Sequence, residues 1–241
     1  MNKKFILITG ASGGIGKSIA WQLAKEGYSL YLHFHSNEDS IRDLLVELES
    51  FKGEYIPIRA DLSKQQGVKE LCEGIFSLHG IVLNSGRSHF GLISDFDEET
   101  VLESVQLGIT SPFFIVQKLL PKLKANQSSA IVAVTSIWGQ TGAACEVLYS
   151  MLKGGQNAFV KALSKELALS GIRVNAVAPG AVSTNMLSQF SEEELSMLSE
   201  EIPMGRIGNP EEIAEVVAFL LSDKASYITG QIIGVNGGWY M

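Results

Sequence analysis

The chain has 241 residues, 46% of them hydrophobic, enough for a single α/β domain over 1–241 with an ample core. Its formal net charge of −7 offers nothing to nucleic acid or to an anionic membrane. No apolar run is long enough to span a bilayer, the run after the basic start is too short for a secretion signal, and Cys72 and Cys145 lack metal-ligand spacing. A cytoplasmic protein with free thiols, no membrane contact and no metal is expected.

Short β-rich apolar runs at 4–9, 29–34, 54–60, 80–84, 129–135, 172–177 and 231–235 alternate with helical patterns at 15–26, 38–50, 64–77, 97–123, 147–169 and 210–222. Strict alternation predicts a parallel sheet with helices on both faces, and a ligand at the carboxyl ends of its strands. The first strand runs into Thr9-Gly10-Ala11-Ser12-Gly13-Gly14-Ile15-Gly16 and then a helix. Glycines there let the backbone turn tightly and approach a ligand, and the unpaired N–H groups of a new helix favour a phosphate. Three chemistries share these residues: a dinucleotide-binding turn on Gly10, Gly14 and Gly16, a loose P-loop ending in Lys17 and Ser18, and a hydrolase elbow centred on Ser12. A turn that binds nothing is the fourth reading.

The second strand ends in His33, Phe34, His35, Ser36 and Asn37, with no carboxylate before Glu38. NAD sites usually hold the ribose 2′-OH with a carboxylate at this place. His33, His35, Ser36 and Asn37 are donors instead, which favours NADP, although the arginine expected beside a 2′-phosphate is missing too. A polar strand end facing water would look the same. Asp61-Leu62 closes the third strand, where a carboxylate can accept from an adenine amino group or simply cap the following helix. The fourth strand ends in Asn84-Ser85-Gly86, either a close approach to a cofactor or a plain turn. The fifth ends at Ser136. Beyond it, Tyr149 and Lys153 are four apart on one helix face. A buried ammonium one turn from a phenol is expected to lower the phenol's pKa and make it a proton donor at neutral pH.

Taken together, these segments resemble the short-chain dehydrogenase/reductase family over essentially the full length. The resemblance rests on the glycine turn at residues 9–16, on Asn84-Ser85-Gly86, on Ser136 thirteen residues before Tyr149, on Tyr149 with Lys153, and on Pro179-Gly180-Ala181-Val182-Ser183-Thr184. It implies a Rossmann-type, doubly wound seven-stranded sheet in three α/β/α layers. Pro179, Gly180, Val182 and Thr184 would line the nicotinamide. Hydride would pass from NADPH (NADH less readily) to a carbonyl carbon, with Tyr149 as proton donor, Ser136 bonded to the same oxygen, and Lys153 tuning Tyr149 and holding the ribose. The family's fourth catalytic residue, an Asn, corresponds to Gln106. The competing chemistries lose ground: no histidine lies late in the chain for a Ser12 hydrolase, and only Asp61 is an acidic strand end for a P-loop magnesium.

The end of the chain, 228–241, resembles 3-oxoacyl-[acyl-carrier-protein] reductases, which implies a homotetramer and an acyl carrier protein as partner. The acidic and mobile segment 191–201 and the absence of arginines at Gln127 and Ser170 speak against that acidic partner. Residues 82–92 and 136–150 resemble a narrower group, the 5-aminopentanone reductases that act on a modified lysine of elongation factor P. Glu146, three residues before Tyr149, would then attract an amine; a solvated helix-start Glu is the plain alternative. A dinucleotide-sensing protein without turnover is the reading from another class, and intact Ser136, Tyr149 and Lys153 oppose it.

Overall fold

The computed structural model describes residues 3–187 and 190–241. Its strands are β1 (Phe5–Ile8), β2 (Ser29–Phe34), β3 (Tyr55–Arg59), β4 (Gly80–Leu83), β5 (Ser129–Val134), β6 (Ile172–Pro179) and β7 (Ile232–Val235). They form one parallel sheet in the order β3-β2-β1-β4-β5-β6-β7. Chain order reverses beside β1, which pairs with β2 on one side and β4 on the other. The loops leaving β1 and β4 therefore diverge and open a crevice.

The helices are α1 (Gly14–Lys25), α2 (Glu38–Leu48), α3 (Gln65–Glu73), α4 (Glu98–Val105), α5 (Ser111–Lys124), α6 (Trp138–Thr141), α7 (Val147–Leu167), α8 (Glu192–Glu201) and α9 (Pro210–Leu221). Successive strand residues face opposite sides, so β1 feeds two cores. Ile6 and Ile8 pack with Ile19 and Leu23 of α1 and Val217 of α9. Phe5 and Leu7 pack with Val68 of α3, Ile115 of α5 and Val160 of α7. Helices thus cover both faces, as the alternation predicts.

Two segments differ from the sequence reading. The helix expected over 97–123 is α4 and α5 joined by a π-helical turn, Gln106–Thr110. Pro112 has no N–H to give the carbonyl four residues back, that of Gly108, so the α ladder fails there. The alternation predicts no helix over the acidic segment 191–201, yet α8 forms there, its start held by a Ser191–Glu194 capping box. Among the described residues no helix is long and apolar enough to cross a membrane, and no group of His, Cys, Asp and Glu is arranged for a metal.

Candidate active site

The glycine turn is fixed from the β4 side. Thr9 Oγ1 accepts from the Asn84 and Ser85 N–H groups at 2.9 and 3.0 Å, and Asn84 Nδ2 donates to the Thr9 and Gly10 carbonyls at 3.1 Å each. Gly10 has φ +69°, and a Cβ on Gly16 would lie 2.1 Å from the Gly10 oxygen. A Cβ on Gly14 would lie 2.8 Å from Thr184 Cγ2. Helix α1 begins without a side-chain cap or an acidic residue in its first turn. Its leading N–H groups are left for an anion. The Ser85 hydroxyl is buried without a hydrogen-bond partner among the described residues, a polar atom of the kind that a bound ligand satisfies. These residues fit the pyrophosphate and ribose of a dinucleotide.

At the end of β2 two assignments need correction. His33 is not a free donor. Its Nδ1 accepts the Gly10 N–H at 3.0 Å and its Nε2 lies 3.1 Å from the Ala60 carbonyl. Burial lowers its pKa to about 4, so it is a neutral strut beneath the turn. Asn37 caps α2 through the Ser40 N–H at 3.1 Å and does not line the cleft. Two arginines from neighbouring elements reach this strand end. Arg59, in register with Phe34, donates its Nε–H to the His35 carbonyl at 3.1 Å, and Arg87 Nη2 stands 3.4 Å from His35 Nδ1. Asp61 accepts from the Ser63 N–H and hydroxyl at 2.9 and 2.7 Å. Burial acts to raise its pKa, but the Ser63 hydrogen bonds and the charges of His35 and Arg87 bring it below the ordinary carboxylate value. A turn cap and a cleft-facing carboxylate are the same residue here.

Ser136 follows β5, while Tyr149 and Lys153 stand one turn apart on α7. Lys153 is 5% exposed; its Nζ donates to the Val134 carbonyl at 2.7 Å and the Gln156 Oε1 at 3.3 Å. It also lies 5.5 Å from the centre of the Tyr149 ring. The expected lowering of the phenol is not found. Burial, and then the charge of Glu146, push Tyr149 up to about 12, only partly offset by a hydrogen bond with Ser136. Burial lowers Lys153 to about 8, and the structure attributes no lowering of Tyr149 to it. Tyr149 is therefore protonated at neutral pH and ready to give a proton away. Glu146 precedes α7, and its carboxylate takes both arms of the Ser88 hydroxyl contact at 3.1 and 2.8 Å. Burial raises its pKa, against the Ser88 hydrogen bond and the charge of His89. It is not the solvated helix-start residue of the plain reading.

A cleft of about 740 Å³ joins the glycine turn to this group. Every residue assigned above to cofactor, catalysis or substrate lines it except Asn37 and Gln106. Gln106 sits on the π turn with its Nε2 on Ser111 Oγ at 2.9 Å, and Ser111 in turn donates to the Leu62 carbonyl. Arg87, Ser88 and Gln156 were missed. Arg87 and Ser88 directly follow Asn84-Ser85-Gly86, a position the motif itself points to; Gln156 carries no local signal beyond lying three residues after Lys153.

The profile of the family described as Enoyl-(Acyl carrier protein) reductase matches residues 10–240. The chain belongs to the short-chain dehydrogenase/reductase family. It is 58% identical over 242 residues to the uncharacterized oxidoreductase YmfI of Bacillus subtilis (strain 168), covering 100% of both chains. It is 38% identical over 245 residues to the 3-oxoacyl-[acyl-carrier-protein] reductase FabG of Staphylococcus epidermidis, again covering 100% of both. Among solved structures it resembles the angucycline C-6 ketoreductase LanV with bound NADP, at a TM-score of 0.92 and 30% identity, over 98% of this chain and 95% of that one. The seven-stranded Rossmann-type sheet and an oxidoreductase activity follow from membership.

Proposed function

We propose that the protein is an NADPH-dependent ketoreductase of the 3-oxoacyl-[acyl-carrier-protein] reductase kind, reducing a ketone to a secondary alcohol. The observation that carries this reading is one cleft with the glycine turn at one end and Ser136, Tyr149 and Lys153 at the other. A reduced nicotinamide bound in the cleft supplies the hydride. Ser136 donates a hydrogen bond to the carbonyl oxygen as charge develops there. Tyr149 gives its phenolic proton to the same oxygen. Lys153 has three N–H donors, two of them committed to Val134 and Gln156, and the third would be left for the ribose of a bound nicotinamide cofactor. The exposed Leu102, Phe113, Val147 and Met151 on the helices flanking β5 support the homotetramer.

Arg59 and Arg87 at the end of β2 support NADPH over NADH, and the bound NADP of LanV agrees. We expect the parent protein to show a higher kcat/KM with NADPH. Arg87→Ala should raise the KM for NADPH about tenfold or more, the size of one charged hydrogen bond, and leave that for NADH near its starting value. Equal kcat/KM for both cofactors in the parent would remove the preference.

A second reading of the substrate rests on Glu146. The substrate half of the cleft is lined by Glu146, Glu194 and Glu201, against the cations Lys153 and Arg87. That charge suits an amine-bearing ketone, such as the 5-aminopentanone group on a lysine of elongation factor P, better than a phosphate-bearing carrier arm. Such a pair is worth a few kcal/mol at most at an effective dielectric of about 20. Glu146→Gln should lower kcat/KM for an amine-bearing ketone and leave it equal or higher for a neutral β-keto ester. A parallel fall on both substrates would assign Glu146 to structure and return the carrier-bound acyl ketone to first place.

A further inference from the structure

We propose that Gln156 is the positioning residue for Lys153. The inference rests on the reading of Tyr149 and Lys153 as the proton-delivering pair. Gln156 lies on α7 three residues beyond Lys153 and is 6% exposed. Its Oε1 accepts from Lys153 Nζ at 3.3 Å, and its Nε2 donates to the Gly108 carbonyl at 2.7 Å.

The reason Gly108 has a carbonyl to offer is local. In an unbroken helix it would bond the N–H of residue 112, which is Pro112 and has none. The chain winds into the π turn instead, where the Ser111 N–H goes to the Gln106 carbonyl. The Gly108 oxygen is turned toward α7, which packs close enough that a Cβ on Gly108 would sit 3.3 Å from Leu152 Cδ1. Gln156 fills that need and thereby fixes its own orientation. Reversing its amide would put NH₂ against an ammonium and oxygen against oxygen. With the NH₂ anchored on Gly108, the oxygen can only face Lys153.

The consequence falls on the lysine. Two acceptors, Val134 and Gln156, hold two of its N–H groups and set where the third one aims. They also help a charged lysine survive burial that has already brought it to about 8. The titratable group that faces it is Tyr149, one turn back on α7; Glu146 ahead of α7 and Arg87 after β4 line the same cleft, and the π turn, β5 and Ser136 contribute none.

Two variants, measured from pH 6 to 10, test the assignment. Gln156→Met keeps the side-chain length and removes the acceptor. The alkaline limb of kcat should move to lower pH, and kcat at neutral pH should fall about tenfold or more, as for loss of one hydrogen bond to a charged group. Gln156→Glu places an anion beside the ammonium and should move the limb to higher pH. NADPH affinity, followed by its fluorescence without substrate, should show the same opposite shifts. Limbs and affinity profiles that stay in place, with a lowered Tm and a uniform scaling of kcat, would make Gln156 a packing residue and overturn the proposal. Should Gln156→Glu fail to fold, the Gln156→Met binding profile decides alone. If instead the parent reduces no ketone, the catalytic reading falls, while the binding profiles still judge Gln156.

Discussion

Tyr149→Phe should slow ketone reduction about 10²–10⁴-fold, the usual contribution of a positioned general acid, while NADPH binds nearly as before. The substitution removes one oxygen and little else. Phe keeps the ring beneath Lys153 Nζ, 5.5 Å away, and keeps the packing of α7. What disappears is the proton. Burial and the neighbouring Glu146 hold the phenol at about 12, so in the parent it carries a proton across the whole working range and can deliver it as the oxygen becomes basic. Steady-state NADPH oxidation measures the loss, and fluorescence titration of NADPH the retained affinity. A variant with more than about a tenth of parental activity would take Tyr149 out of this role.

Gly16→Ala should act at the other end of the cleft and by another route. Its new Cβ would fall 2.1 Å from the Gly10 oxygen and 2.9 Å from Asn84 Nδ2, the atoms that join β1 to β4. Neither can retreat, because Asn84 Nδ2 already bonds the Thr9 and Gly10 carbonyls. The start of α1 has to move outward. Overpacking of this kind costs about 1–3 kcal/mol, which for a chain of this size lowers Tm by roughly 2–12 °C. The same displacement turns the leading N–H groups away from the pyrophosphate, so the Kd for NADPH should rise about tenfold or more. Differential scanning fluorimetry and the NADPH titration read the two effects; an unchanged Kd would mean that the turn does not hold the phosphates.

The sheet could be read from the chain because the strands are short, largely apolar runs, and β1, β2, β4, β5 and β6 are buried on both faces, which leaves no polar alternation to blur them. The site could be read where a motif is contiguous: the glycine turn, Tyr149 with Lys153, and the segment around Pro179. What escaped depends on contacts between distant elements. His33 looked like a donor at a strand end because nothing local shows that its ring lies under Gly10 and against Ala60. Arg59 reaches the end of β2 only through the β2–β3 register, and Arg87 from the loop after β4. Gln106 occupies a plausible place in a helix, yet its amide is bonded to Ser111 and it does not line the cleft. The pKa of Tyr149 went wrong for a related reason: burial was the larger effect, and spacing along a helix says nothing of depth.

The most direct measurement uses NADPH deuterated at C4 of the nicotinamide, as each of its two stereoisomers, with a neutral β-keto ester and an amine-bearing ketone in separate reactions. One isomer should place a single deuterium on the carbon that was the carbonyl, seen by mass spectrometry of the alcohol, and Tyr149→Phe should form that product far more slowly. NADPH that binds in the cleft but passes no deuterium to either ketone would contradict a ketoreductase and leave a dinucleotide-binding protein in its place.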